Sequence, residues 1–140
     1  MLFRSLVARW TSLSCVEDMV REVASWLADS DMDVVRMSLA TLPVYSPHDG
    51  VQYVWHRAMP DKARMIVRPA GFLDDPEHLA SPLHQVLTTG MRLRERLCAG
   101  EGVGRFAFLA DLSRAGCTDY LAVPLPTRRA TVHEIGRAHV

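Results

Sequence analysis

Apolar residues recur at helical spacing in two places near the start of the chain. Leu2, Phe3, Leu6, Val7 and Trp10 predict a short first helix. Val16, Met19, Val20, Val23, Trp26 and Leu27 repeat at i, i+3, i+4 and i+7, which makes one stripe along a second, longer helix. Ser14 with Glu17 three residues on is a capping box that would open it. Asp29 to Asp31 would close it. The stripe fits two uses: it can lie on the domain's own sheet or on the helix of a partner copy.

The pattern then changes to β-formers. Val34 to Leu42 reads as a strand, and Val51 to His56 alternates with Val51, Tyr53 and Trp55 on one side. Between them, Pro43 to Gly50 holds two prolines and an Asp49-Gly50 turn signal, which predicts a hairpin with an enlarged loop. Ala63 to Arg68 predicts a third strand. Asp75-Pro76-Glu77 and Ser81-Pro82 each set a capping side chain before a proline, the mark of a helix start. Leu83, Val86 and Leu87 give the second of these an apolar face, and Gly90 ends it. Met91 to Leu97 alternates again, with Met91, Leu93 and Leu97 on one face and Arg92, Arg94 and Arg96 on the other. Phe106 to Ala115 predicts a helix stopped by Gly116. Thr118 to Leu125 predicts an apolar strand, and Arg129 to His133 the start of the next. The expected class is α+β: an antiparallel sheet with flanking helices. A parallel sheet is excluded, because the strands do not alternate with long crossover helices.

Composition narrows the function classes. The 16 basic and 16 acidic residues cancel, so no net field draws the chain to nucleic acid or to an anionic membrane, and neither partner is expected. The longest apolar runs fall far below the ~18 residues of a membrane span. Arg4 and Arg9 interrupt Met1 to Trp10, which also lacks a small-residue cleavage site, so it does not read as a secretory leader and a cytoplasmic location is expected. Cys15, Cys98 and Cys117 are odd in number and widely spaced, which fits free thiols rather than a disulfide framework or a metal site.

Few residues carry candidate chemistry. Arg92, Arg94 and Arg96 are the candidates for gripping a phosphate or carboxylate, since arginine donates in a planar fork. Alternate charges on a one-sided sheet are more often a solvated face. The loop Gly100 to Gly104 lacks the spacing and βαβ setting of a phosphate cradle and reads as a mobile linker. His48, His56, His78 and His84, with Asp49, Asp74, Asp75 and Glu77, show no metal-ligand spacing. Ser81 reads as a helix cap, and Asp111 and Asp119 as structural. Trp26, Tyr53, Trp55, Phe106, Phe108 and Tyr120 read as core, with some able to line a small-molecule pocket. No catalytic residue, metal site or cofactor is expected.

The segments Arg36 to Leu42, Val51 to Arg57, Gly71 to Leu97 and Phe106 to Pro126 occur in an order with a family likeness. In Leu109 to Pro126, LADLSRAGCTDYLAVPLP, a short helix with a glycine stop feeds a DYLAVPL strand. Together they resemble the N-terminal, GAF-like sensor region of bacterial class III adenylate/guanylate cyclases, over about Trp26 to Pro126. The resemblance implies a noncatalytic regulatory domain. It implies a cyclase catalytic domain beyond it in the parent protein, an unidentified small-molecule ligand, and a homodimer joined through the N-terminal helix. The alternative is a free-standing GAF-like small-molecule-binding module. Glu134 to Val140, EIGRAHV, coincides with the translation of a common sequencing-library adapter. The expected organisation is therefore a helical segment at 1–30, a sensor domain at 31–133 left incomplete at its C-terminal end, and a non-native tail at 134–140.

Overall fold

A computed structural model describes residues 15–41, 47–125 and, as backbone, 131–137. The first element is helix α1, Val16–Asp29. Strands β1 (Val34–Thr41), β2 (Gly50–His56) and β3 (Ala63–Arg68) follow. A 3-10 turn at Phe72–Asp74 leads into helices α2 (Pro76–Leu79) and α3 (Pro82–Thr89). Then come β4 (Leu93–Arg96), helix α4 (Ala107–Arg114), β5 (Asp119–Leu125) and β6 (Thr131–Arg137). The strands form one sheet in the order β3-β2-β1-β6-β5-β4, and every neighbouring pair is antiparallel. The fold class is α+β, as the sequence predicts.

The two faces of the sheet are covered differently. On one face, Val20 and Ala24 of α1 are fully buried against Val34, Met37, Leu39 and Trp55. Ala24 presents only a methyl group, which lets the helix come close. Each large side chain buried there contributes roughly 1.5–3 kcal/mol. The apolar stripe of α1 therefore lies on its own sheet. The expected cap at Ser14 lies outside the described residues; Cys15 stands at the N-cap and makes no side-chain capping bond. Glu17 and Asp18 in the first turn face the positive end of the helix dipole instead. The helix expected within Met1 to Trp10 also lies outside the described residues. On the other face, α3 and α4 pack on β4 and β5 through Val86, Leu93, Leu109, Leu112, Tyr120 and Ala122.

Two local expectations need correcting. The loop Gly100 to Gly104 is pinned and does not act as a mobile linker. The Glu101 carboxylate accepts from the Arg96 backbone N–H at 2.7 Å and from its guanidinium at 2.9 Å. Gly102 has φ +73° and packs against Leu109 and Glu95. Strand β4 is also shorter than the alternating pattern suggests. After Arg96 the chain turns into a 3-10 helix at Leu97–Ala99 so that Leu97 can reach the core.

Strand β6 lies between β1 and β5. Ser38 and Ala122 both stand opposite Glu134, and Met37 and Leu121 both stand opposite Ile135. Residues 134–137, set apart in the sequence, thus occupy the second half of a central strand.

Candidate ligand cleft

Strand alternation puts Arg36, Ser38 and Ala40 of β1 on the face opposite α1. The antiparallel register sets Gln52 across from Ala40 and Gly50 across from Arg68, so Gln52 and Arg68 share that face. Gly50 has no side chain, which leaves the Arg68 guanidinium room to turn along the sheet. It donates from Nη2 to Gln52 Oε1 at 2.8 Å, and Gln52 Nε2 donates to Ser38 Oγ at 3.3 Å. A polar relay therefore crosses three strands at a buried level, with Gln52 and Ser38 both buried.

Over this floor the connection from β3 to α3 forms a roof. Gly71 adopts φ +91°, a left-handed turn that glycine makes without strain, and the 3-10 turn then brings Phe72 over Arg68. The guanidinium carbon lies 4.7 Å from the Phe72 ring centre. The Asp49 carboxylate holds this turn down by accepting from the Leu73 N–H at 3.0 Å. Asp75 and Ser81 cap α2 and α3, as their sequence positions predict, accepting from the N–H groups of Glu77 and His84. These caps set His78 under the roof, 4% exposed, with its ring 4.8 Å from that of Phe72 and 5.4 Å from that of His84. Burial lowers the His78 pKa, helped by nearby His84 and Arg68, so the imidazole is held neutral. Phe108 of α4 forms the far wall; Arg36 lies 5.2 Å from its ring centre.

These elements enclose an open cleft of about 580 Å³ lined by Arg36, Gln52, Arg68, Phe72, His78, Phe108 and the starts of α2, α3 and α4. Its floor is basic and its sides are aromatic. Glu77 and Asp111 stand on the exposed rim, where Asp111 pairs with Arg114 one turn on. Two buried nitrogens of the lining, Arg68 Nε and His78 Nδ1, have no hydrogen-bond partner among the described residues.

The arginines singled out in the sequence lie elsewhere. Arg94 and Arg96 are on edge strand β4, and Arg92 is exposed just before it. Arg94 lies 3.5 Å from Asp119, and Arg96 forms a forked pair with Glu101. None of the three lines the cleft. Of the histidines weighed as ligands, the fold brings His78 and His84 together. Among the described residues, no group of three or more His, Cys, Asp or Glu side chains could hold a metal ion. In the sequence Arg36, Gln52 and Arg68 carry one signal only: each is an isolated charge or amide on the alternate face of a strand that otherwise reads as core.

No protein-family model and no curated protein matches this chain. Solved structures do resemble it. The chain is similar to the GAF domain of a two-component sensor histidine kinase from Bacillus halodurans, at 14% identity and a TM-score of 0.47, over 99% of this chain and 75% of that one. It is similar to a hypothetical protein from S. aureus at 17% identity and a TM-score of 0.48, over 87% of this chain and 91% of that one. It is also similar to a NreA protein from Staphylococcus aureus mutated in its nitrate-binding site, at 18% identity and a TM-score of 0.46, over 87% and 82%. The fold itself is α+β, one six-stranded antiparallel sheet with helices packed on both faces. None of the helices in the described residues is long and apolar enough to cross a membrane.

Proposed function

We propose that this chain is a noncatalytic sensory module that holds a small molecule in the cleft between its sheet and helices α2 to α4. The observation that carries this reading is the cleft itself. Its volume of about 580 Å³ suits a small ligand, and it combines aromatic walls with a few fixed polar groups. The serine nearest the cleft is engaged as a cap: Ser81 Oγ donates to the His78 carbonyl at 2.6 Å and accepts from the His84 N–H. We place the parent protein among the class III adenylate/guanylate cyclases on the likeness of Gly71 to Leu97 and Phe106 to Pro126, with this domain regulating a catalytic domain. A homodimer joined through α1 would use the side of that helix turned away from Val20 and Ala24, since those two are committed to the sheet.

The test is a fragment screen by amide chemical shift on the isotope-labelled chain. Bound fragments should shift Phe72, His78 and Phe108 together. Ala107→Trp, at an exposed position of the cleft lining, should abolish those shifts without unfolding the sheet. If no fragment perturbs the cleft, or if Ala107→Trp leaves binding intact, the reading is wrong. The cyclase assignment is tested separately by the gene downstream: an in-frame cyclase domain is expected.

A further inference from the structure

We infer that the cleft selects a small organic carboxylate, whose anionic head sits against Arg68 and His78 and whose apolar body lies between Phe72 and Phe108. This rests on the reading of the cleft as a ligand site and names the class of ligand.

The first ground is an uncompensated charge. Arg68 is half-buried, its guanidinium covered on one face by Phe72. Its one side-chain hydrogen bond goes to Gln52, which is neutral, and no carboxylate lies within ion-pair range of it among the described residues. Across the strand stands Gly50, and the next partner along β2 is Gln52. A cation withdrawn from water without a partner is costly, so such sites are normally completed by an anion.

The second ground is two donors without acceptors. Arg68 Nε carries a hydrogen, is buried and bonds to nothing described. His78 Nδ1 is equally buried and unpartnered, and a neutral imidazole can carry its proton on that nitrogen. Buried donors left empty are costly, and a carboxylate oxygen satisfies both kinds. The same surroundings argue against a cationic ligand. It would meet Arg68 directly, and it would meet His78 in a setting that already disfavours positive charge. A bare inorganic ion would leave the aromatic walls and most of the volume in contact with water. An organic body removes that apolar surface from water.

The test titrates three probes into the full chain and follows cleft amides: benzoate, benzyl alcohol as the same body without charge, and acetate as the head alone. Benzoate should bind about tenfold or more tightly than either, the discrimination expected for hydrogen bonds to a charged group. Arg68→Gln should weaken benzoate about tenfold and benzyl alcohol by less than about twofold. Gln52→Glu is the second variant, and it covers the case in which Arg68→Gln fails to fold. It places a carboxylate where Arg68 already donates, so it should raise the melting temperature and compete benzoate away. Equal binding of benzoate and benzyl alcohol, or undiminished benzoate binding in Gln52→Glu, overturns the choice of a carboxylate while leaving the cleft a ligand site. Absence of every probe from the cleft overturns both.

Discussion

Alanine at Gly102 should destabilise this domain far more than alanine at Gly100, although the two glycines have nearly the same backbone. Their φ values are +73° and +77°. Forcing an L-residue into that region costs about 1–2 kcal/mol at either site. The surroundings differ. A Cβ at Gly100 meets nothing within 4 Å, whereas at Gly102 it would lie 2.8 Å from Leu109 Cδ1 and 3.0 Å from Glu95 Cγ. Leu109 is completely buried beside Phe106, Leu112 and Tyr120, so it has little room to step aside. Glu95 is held by Arg105 at 2.9 Å. Overpacking of this kind adds about 1–3 kcal/mol. The expected loss is then roughly 1–2 kcal/mol for Gly100→Ala and roughly 2–5 kcal/mol for Gly102→Ala. In melting temperature that is roughly 5 °C against roughly 15 °C for a chain of this size. Thermal and urea unfolding followed by circular dichroism measure both. A double variant isolates the contact: with Leu109→Val the offending methyl is gone, so the loss in the double variant should fall short of the sum of the two single losses. The effect should also reach the cleft. The Gly102 carbonyl accepts from Phe106 N–H at 2.9 Å, and α4 begins at the next residue, carrying Phe108. Equal losses at the two glycines, or strict additivity in the double variant, would refute the packing argument.

Three further outcomes follow from features already described. The native state holds His78 below its ordinary pKa, so the unfolded chain binds the extra proton first. Stability should therefore be full above about pH 6.5 and decline as pH falls through that value, and the decline should shrink in His78→Gln when urea midpoints are compared across pH. Cys117 is buried and its thiol pKa is raised by that burial, while Cys15 and Cys98 are exposed. Iodoacetamide with mass readout should label the latter two in the native protein and Cys117 only after urea is added; early labelling of Cys117 would contradict the packing of α4 on β5. Ending the chain at His133 removes the pairing of Glu134–Arg137 with both β1 and β5. The shortened chain should lose its cooperative melting transition, and an unchanged transition would show that these residues add nothing to the sheet.

The starts of α2 and α3 were the most legible part of this fold, because each is written within one turn. Asp75-Pro76 and Ser81-Pro82 supply a cap and a fixed φ side by side, and both caps form. The stripe in α1 was legible as a stripe, but not its destination: an apolar helix face looks the same whether it meets a sheet or a second copy. The cleft was illegible for a related reason. Arg36, Gln52 and Arg68 are sixteen positions apart in succession, and only the register of two hairpin pairings brings them onto one face. Arg92, Arg94 and Arg96 stand out in the sequence because their spacing is local. Yet the acids that engage Arg94 and Arg96, Asp119 and Glu101, come from a neighbouring strand and a turn.

The place of β6 has a consequence for how the domain is made. As the nascent chain leaves the ribosome, β1, β2 and β3 can pair at once, and β4 and β5 can pair later. The two half-sheets then share no hydrogen-bonded edge until Thr131–Arg137 emerges and slides between them. At ordinary rates of synthesis β1 waits on the order of 5–20 seconds for that partner. During the wait β1 and β5 are both open edges carrying core residues such as Leu39 and Ala122, the kind of surface that pairs with a wrong chain. High expression should favour aggregation at this stage, and slower synthesis at low temperature, or a chaperone that shields strand edges, should raise the soluble yield without any change in the stability of the finished domain.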